Sequence, residues 1–160
     1  MVAAHLTNRG ISTFLVEIGG EIRVKGKKPD GKMMRVGIEG PGNDWSKEPI
    51  IQHIISLENG AITTSGNYRN YLVKDNKKIS HLINPKTGSP LTNEMVSATV
   101  YAADAITADG YDNVLMGLSI KQALAFVKKR KYLDAYFIYK RPDGILVDTA
   151  TTGFLKLLTK

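Results

Sequence analysis

Residues 60–88 constrain the fold most, because their pattern predicts two strands joined by a polar turn at residues 74–77. Small hydroxyl residues followed by Gly66 form a predicted loop before these strands, and such a segment brings backbone N–H groups and hydroxyls close to an anion. The second strand delivers His81 and ends in the turn sequence of residues 84–88. We expect this hairpin to bring the hydroxyl loop and the histidine to the same end of a sheet.

Both features of this hairpin also have purely structural interpretations. A Thr-Ser-Gly segment before a strand is most often a turn, and a single histidine followed by Leu82 and Ile83 is more often packed or exposed than catalytic. The hairpin alone therefore does not identify a site, and residues elsewhere in the chain have to support it.

Length and composition indicate a single domain over residues 1–160. Hydrophobic residues make up 42% of the chain, with 7 tyrosines and 4 phenylalanines, which favours a packed core over disorder. The sequence contains no cysteine, so disulfides, thiolate nucleophiles and cysteine-ligated zinc are excluded.

The formal net charge of +7 raises the question of a nucleic-acid partner. The basic residues fall in short clusters, and the cluster at residues 128–131 lies at a predicted helix C-terminus, where cations complement the helix dipole. None of the clusters matches a nucleic-acid-binding module, so we expect no nucleic-acid partner. A solvated basic face that attracts an anionic cofactor or a membrane surface is the simpler interpretation.

The order of the predicted elements indicates an α+β fold, with a mostly antiparallel sheet and a few flanking helices on one face. An apolar tail near the C-terminus is expected to dock on the core. Helices are predicted over residues 1–9, from near residue 108 to 117, and over 120–131; strands are predicted over residues 14–18, 21–26, 33–38, 50–57, 95–102, 134–139 and 145–150.

A second candidate group lies at the predicted start of the middle helix. Asp109 and Asn113 are four residues apart, so both side chains project from one face, and Asp112 is close enough in sequence to join them. Carboxylate and amide oxygens suit Mg²⁺, which often takes only one or two protein carboxylates beside phosphates. The alternative is ordinary capping, because the helix dipole stabilises acidic residues in a first turn without any metal.

Four motifs in the chain resemble, in order, those of the ApbE family of FAD:protein FMN transferases. They are V-E-I-G-G-E-I at residues 16–22, T-T-S-G-N-Y at 63–68, H-L-I-N-P-K-T-G at 81–88 and A-D at 108–109. Each motif is weak alone. Because the four occur in the same order over nearly the whole chain, the resemblance is specific.

The resemblance implies an enzyme that binds FAD with Mg²⁺, transfers FMN to a threonine hydroxyl of a target flavoprotein as a phosphoester, and releases AMP. It implies that His81 accepts the proton of that hydroxyl and that Asp109 ligates Mg²⁺. Asn113 stands where the family usually has threonine, and its amide oxygen is still a possible ligand, with Asp112 as a third candidate. The residues assigned to the flavin nucleotide are Thr64, Ser65, Gly66, His81 and Ile83.

The resemblance covers the C-terminal part of such enzymes. The family's first half, with a Lys-Gly-Tyr segment and a backbone metal ligand, has no counterpart here, so we expect residues 1–160 to form a C-terminal portion with an uncertain activity of its own. Because members of the family are often exported or anchored to a membrane, the resemblance implies a parent protein that is exported or membrane-anchored on the periplasmic face. Two alternatives stay open: an FAD pyrophosphatase, and a non-catalytic flavin-binding or structural half-domain that forms a homodimer.

Overall fold

A computed structural model of the chain describes residues 1–41, 50–68, 71–74 and 77–159. In chain order the elements are helix α1 (Val2–Asn8), strands β1 (Phe14–Ile18), β2 (Glu21–Lys25), β3 (Met34–Gly40), β4 (Ile50–Leu57), β5 (Asn59–Gly66), β6 (Tyr71–Lys74), β7 (Lys77–Ser80) and β8 (Met95–Ala102), helices α2 (Ala105–Met116) and α3 (Ile120–Lys128), strands β9 (Asp134–Lys140) and β10 (Leu146–Ala150), and helix α4 (Thr152–Leu155).

Six of the strands form an antiparallel sheet in the order β1-β2-β5-β8-β9-β10. Strands β3 and β4 form a separate hairpin, and so do β6 and β7. The tight reversal between β1 and β2 requires glycine, because Gly19 and Gly20 have φ angles of 69° and 104°. The α+β class with a mostly antiparallel sheet is therefore confirmed.

The main sheet carries a covering layer on each face. Helices α2 and α3 cover one face, where Ala61 and Phe137 are fully buried. The hairpin β3–β4 and helix α4 cover the other face, where Ile55, Ile62 and Phe154 are buried. Since successive residues of a strand point to opposite faces, the neighbours Ala61 and Ile62 on β5 belong to different layers.

The prediction that the helices lie on one face is wrong for α4. This short helix follows the edge strand β10, and Thr151 caps it by accepting a hydrogen bond from the backbone N–H of Phe154. The Phe154 ring then stacks on Tyr136 in the layer opposite α2 and α3. The expectation that the C-terminal tail docks on the core is confirmed.

The prediction that the small hydroxyl residues form a loop is also wrong. Residues 63–66 continue strand β5 and pair with β8, with Thr63 opposite Val100 and Ser65 opposite Ala98. Threonine is β-branched and fits a pleated, half-buried surface, which explains why the segment stays in the sheet. The following hairpin, β6–β7, is as predicted, and residues 75 and 76 of its turn lie outside the described residues.

Helix α2 begins at Ala105 rather than near Ala108. The cause is its cap: the Asp104 carboxylate accepts hydrogen bonds from the backbone N–H and the hydroxyl of Thr107, both at 2.9 Å. Ser119 caps α3 at the predicted start of that helix, in a capping box with Gln122. Within the part of the chain that the structure describes, no helix is long and apolar enough to cross a membrane.

We expect Phe154→Ala to lower the free energy of unfolding by about 3–5 kcal/mol, as is typical of emptying a fully buried aromatic site. The ring has no exposed surface, and its centroid lies 5.9 Å from that of Tyr136. Urea unfolding measures the loss. Leu155→Ala in the same helix is the control, because that side chain is 53% exposed and its loss should cost about 0.5 kcal/mol or less. Equal losses in the two variants would contradict the docking of this helix.

Candidate functional site

A cleft of about 330 Å³ lies at the end of β5. Strand β2 pairs with β5 from Lys25↔Asn59 to Ile22↔Ile62, so residues 63–66 extend beyond β2 while staying paired with β8. The cleft occupies the space that this overhang leaves beside the β1–β2 turn. Its lining residues are Glu17, Gly19, Gly20, Gly37, Glu39, Thr64, Ser65, Gly66, Tyr68 and His81.

Gly66 allows β5 to approach its neighbours closely in this cleft. A Cβ at this position would lie 2.7 Å from Cε1 of Tyr68 and 3.3 Å from Cβ of Ser97, so a larger residue requires a shift. The Tyr68 hydroxyl donates to the backbone oxygen of Glu39 at 3.2 Å, and burial raises the pKa of this phenol. This contact joins the end of β5 to the hairpin β3–β4 and fixes one wall of the cleft.

Successive hydroxyls at the end of β5 serve opposite faces of the sheet. Oγ1 of Thr64 lies 2.9 Å from Oγ1 of Thr99, its neighbour on β8. The Ser65 hydroxyl instead donates to Oδ1 of Asn113 on helix α2, at 3.0 Å. Ser65 therefore lies where the cleft and the helix meet.

His81 is exposed and lines the cleft together with residues 64–66. The loop that carries it is closed by backbone hydrogen bonds from Leu91 to Leu82 and from Asn84 to Ser89, both at 2.8 Å. The structure thus brings the hydroxyl segment and the histidine together, although a strand rather than a loop supplies the hydroxyls. The catalytic role assigned to His81 stays a prediction.

Ile83 has a different environment from His81. Its side chain is 52% exposed, and its backbone forms an isolated bridge with Pro90. Among the described residues that line the cleft, Ile83 does not occur. The prediction that it contacts the flavin nucleotide remains untested.

The capping interpretation of the acidic residues on α2 is wrong. Asp104 is the cap, and the first turn of the helix contains no acidic residue. Asp109 therefore lies in the second turn and is exposed, and Asn113 is exposed one turn further along. A carboxylate placed there gains little from the helix dipole, which acts within the first turn.

Asp112 differs from its two neighbours because it is buried, at 2% exposure, against the sheet. Burial raises the pKa of its carboxyl to about 7, and the Asp109 carboxylate adds to the rise. The Thr63 hydroxyl acts in the opposite direction and lowers this pKa. Among the described residues, Asp112 Oδ1 and Thr63 Oγ1 are buried atoms without a hydrogen-bond partner.

Asp109 and Asn113 are the exposed oxygen donors on α2 that could hold a cation. Asp109 offers an exposed carboxylate and Asn113 an amide oxygen on the same helix face. Within the described part of the chain, no group of three or more His, Cys, Asp and Glu residues could hold a metal by itself. A cation at Asp109 and Asn113 would therefore need further ligands from outside this pair of residues.

Several cleft residues were not identified from the sequence. Glu17 and Tyr68 lay inside the motifs at residues 16–22 and 63–68, so the signal for them was present. Gly37 and Glu39 on β3 had no such signal, because only the folding of the hairpin β3–β4 over the sheet brings them to the cleft.

The buried Asp112 carboxyl predicts that the chain loses stability as the pH rises. Its pKa in the folded state, about 7, lies above the ordinary value of 3.8, so the folded state binds more protons than the unfolded state between these values. The free energy of unfolding should fall by about 2 kcal/mol from pH 5.5 to pH 8 on account of this group. Urea unfolding in metal-free buffer at the two pH values measures the change.

Asp112→Asn is the matched control for this pH dependence, because the amide has the same shape and does not titrate. Its unfolding free energy should be flatter over the same range by about the same 2 kcal/mol. An unchanged pH dependence in the variant would show that other groups cause the loss.

Comparison with known proteins identifies relatives along the whole chain. The family model described as the ApbE family matches residues 1–137. An FAD:protein FMN transferase of Vibrio cholerae is 39% identical over 160 residues, which cover 100% of this chain and 46% of the relative. The FAD:protein FMN transferase of Klebsiella pneumoniae is 40% identical over 143 residues, which cover 89% of this chain and 40% of the relative.

The fold has a solved counterpart. The structure of the flavin transferase ApbE from Vibrio cholerae superposes with a TM-score of 0.82 and 38% sequence identity, covering 98% of this chain and 48% of the solved one. The chain thus spans about half the length of the curated relatives that it matches.

Proposed function

The chain belongs to the ApbE family, and on that premise we propose that it supplies part of the active site of an Mg²⁺-dependent FAD:protein FMN transferase. The proposed reaction attaches FMN to a threonine hydroxyl of an acceptor flavoprotein by a phosphoester bond and releases AMP. Because the chain spans about half the length of its relatives, the activity, the acceptor and a periplasmic location are proposals for the whole protein.

This proposal rests on the position of the cleft residues. His81 and residues 64–66 line one cleft, and the Ser65 hydroxyl in that cleft is hydrogen-bonded to Asn113 on α2. A proton acceptor, a group of hydroxyl and backbone donors, and oxygen ligands for a cation are the parts that phosphoryl transfer needs. His81, residues 64–66 and Asn113 lie near one another although they are far apart in sequence, which supports the proposal.

His81 is suited to accept the proton of the incoming threonine hydroxyl. It is exposed at the cleft, so an acceptor segment can reach it without entering the core. In the proposed step the threonine oxygen bonds to the phosphorus of the FMN moiety, the bond from that phosphorus to AMP breaks, and His81 takes the hydroxyl proton.

The charge of the cleft supports a requirement for a cation. Its lining includes the exposed carboxylate of Glu17, and no lysine or arginine occurs among the described residues that line it. A diphosphate that entered such a cleft alone would meet like charge. Asp109 and Asn113 would hold Mg²⁺, which when bound neutralises charge on the phosphate oxygens. Asp112 is the less accessible third candidate because it is buried.

Asp109→Ala should abolish the dependence of FAD binding on Mg²⁺, because it removes the exposed carboxylate of the proposed site. Titration of FAD by flavin fluorescence, with Mg²⁺ and with EDTA, measures this effect in the chain. We expect Mg²⁺ to tighten binding at least about tenfold in the unmodified chain and not in the variant. Asp30→Ala is the control, because Asp30 is exposed in a turn and pairs with Lys32. FAD binding that is indifferent to both Mg²⁺ and Asp109 would reject the metal assignment.

His81→Ala should lower FMN transfer by about 100-fold or more while FAD affinity changes little, since a general base acts in the reaction step. The measurement is flavin fluorescence on an acceptor flavoprotein after incubation of the whole parent protein with FAD. His5→Ala, at an exposed position of α1, is the control and should transfer normally. Release of free FMN and AMP without labelled acceptor would instead support FAD hydrolysis, and undiminished transfer would reject the role of His81.

A further inference from the structure

We propose that Ser65 is a positioning residue that holds the Asn113 side chain in place for a divalent cation. The proposal rests on the proposed function, in which Asn113 is a metal ligand. It adds that strand β5 contributes to the metal site through this serine, although β5 supplies no ligand itself.

The contact that carries the inference is the hydrogen bond from the Ser65 hydroxyl to Oδ1 of Asn113, at 3.0 Å. The two residues that flank Ser65 on β5 make other contacts, since Thr64 is hydrogen-bonded to Thr99 and Gly66 packs against Tyr68. Its backbone is fixed by pairing with Ala98. The serine hydroxyl is therefore a donor with a defined position.

An amide oxygen has two lone pairs, so Oδ1 can accept from Ser65 with one and face a cation with the other. The side chain of Asn113 is exposed and, without this bond, is free to turn its NH₂ group toward the cation, which repels it. Holding the oxygen in place removes rotamer freedom before the metal arrives. Partners of this kind, which bond to a ligand rather than to the metal, typically change metal affinity by about 10- to 100-fold.

Asn113 belongs to the same helix face as Asp109, one turn away. The helix backbone fixes the spacing of Asp109 and Asn113, but it does not fix their side-chain torsions. The distance between the two side-chain oxygens is therefore defined only if the Asn113 rotamer is fixed. Ser65 is the described side chain that supplies this restraint from outside the helix.

The test is the affinity of the chain for Mn²⁺, which replaces Mg²⁺ as a paramagnetic probe, measured by electron paramagnetic resonance without FAD and again with FAD. Ser65→Ala should weaken Mn²⁺ binding about tenfold, and Ser65→Thr, which keeps the hydroxyl on a strand, should stay within about threefold. Ser56→Ala is the matched control, because Ser56 is also a strand serine bonded to another side chain, Thr159, at 2.8 Å. It should leave the affinity unchanged.

A double-mutant cycle separates positioning from a general structural effect. In an Asn113→Ala background, Ser65→Ala should cause no further loss of Mn²⁺ affinity, because the serine acts through the amide. Additive losses, failure of Ser65→Thr to retain affinity, or no measurable Mn²⁺ binding by the unmodified chain would each overturn the proposal. Because the measurement without FAD does not involve transfer, a coupled loss of metal affinity would support the positioning role even if transfer assays failed.

Discussion

The pairing of β5 with β8 is the constraint on which the rest of the structure depends. It aligns residues 61–66 with residues 97–102 in the middle of the six-stranded sheet. From this pair one face receives α2 and α3 and the other receives the hairpin β3–β4, so both cores rest on the same register. The end of the same strand reaches past β2 and supplies the hydroxyls of the cleft. Stability and site geometry therefore share one element.

Local patterns predicted most of the fold, and tertiary packing decided what they missed. Glycine turns and alternating apolar residues placed the strands, since these signals depend on neighbours in sequence. The helix start was misplaced because Asp104 and Thr107 are both capable caps, and only the structure shows that Asp104 caps the helix. Residues 63–66 were assigned to a loop because the strand that pairs with them, β8, lies about 30 residues further along the chain.

The candidate site was predictable to a smaller extent than the fold. Motifs indicated His81, Ser65 and Asp109, but spacing on a helix could not show that Asp112 points inward while Asp109 is exposed. The local charge of the cleft could not be predicted from the sequence either, because a chain with a formal net charge of +7 forms a cleft lined by two glutamates. The global excess of lysine and arginine therefore says little about the local field in which an anionic nucleotide would bind.

The alternation of Thr64 and Ser65 has a consequence for how this family member can change. Each hydroxyl serves its own face only because the residues of a strand alternate, so insertion or deletion of one residue within β5 would exchange the two faces. A change of two residues would preserve the alternation and shift only the position along the strand. Insertions and deletions within β5 thus preserve the two faces only when they change its length by an even number of residues. The loops that flank the strand have no alternating faces to preserve.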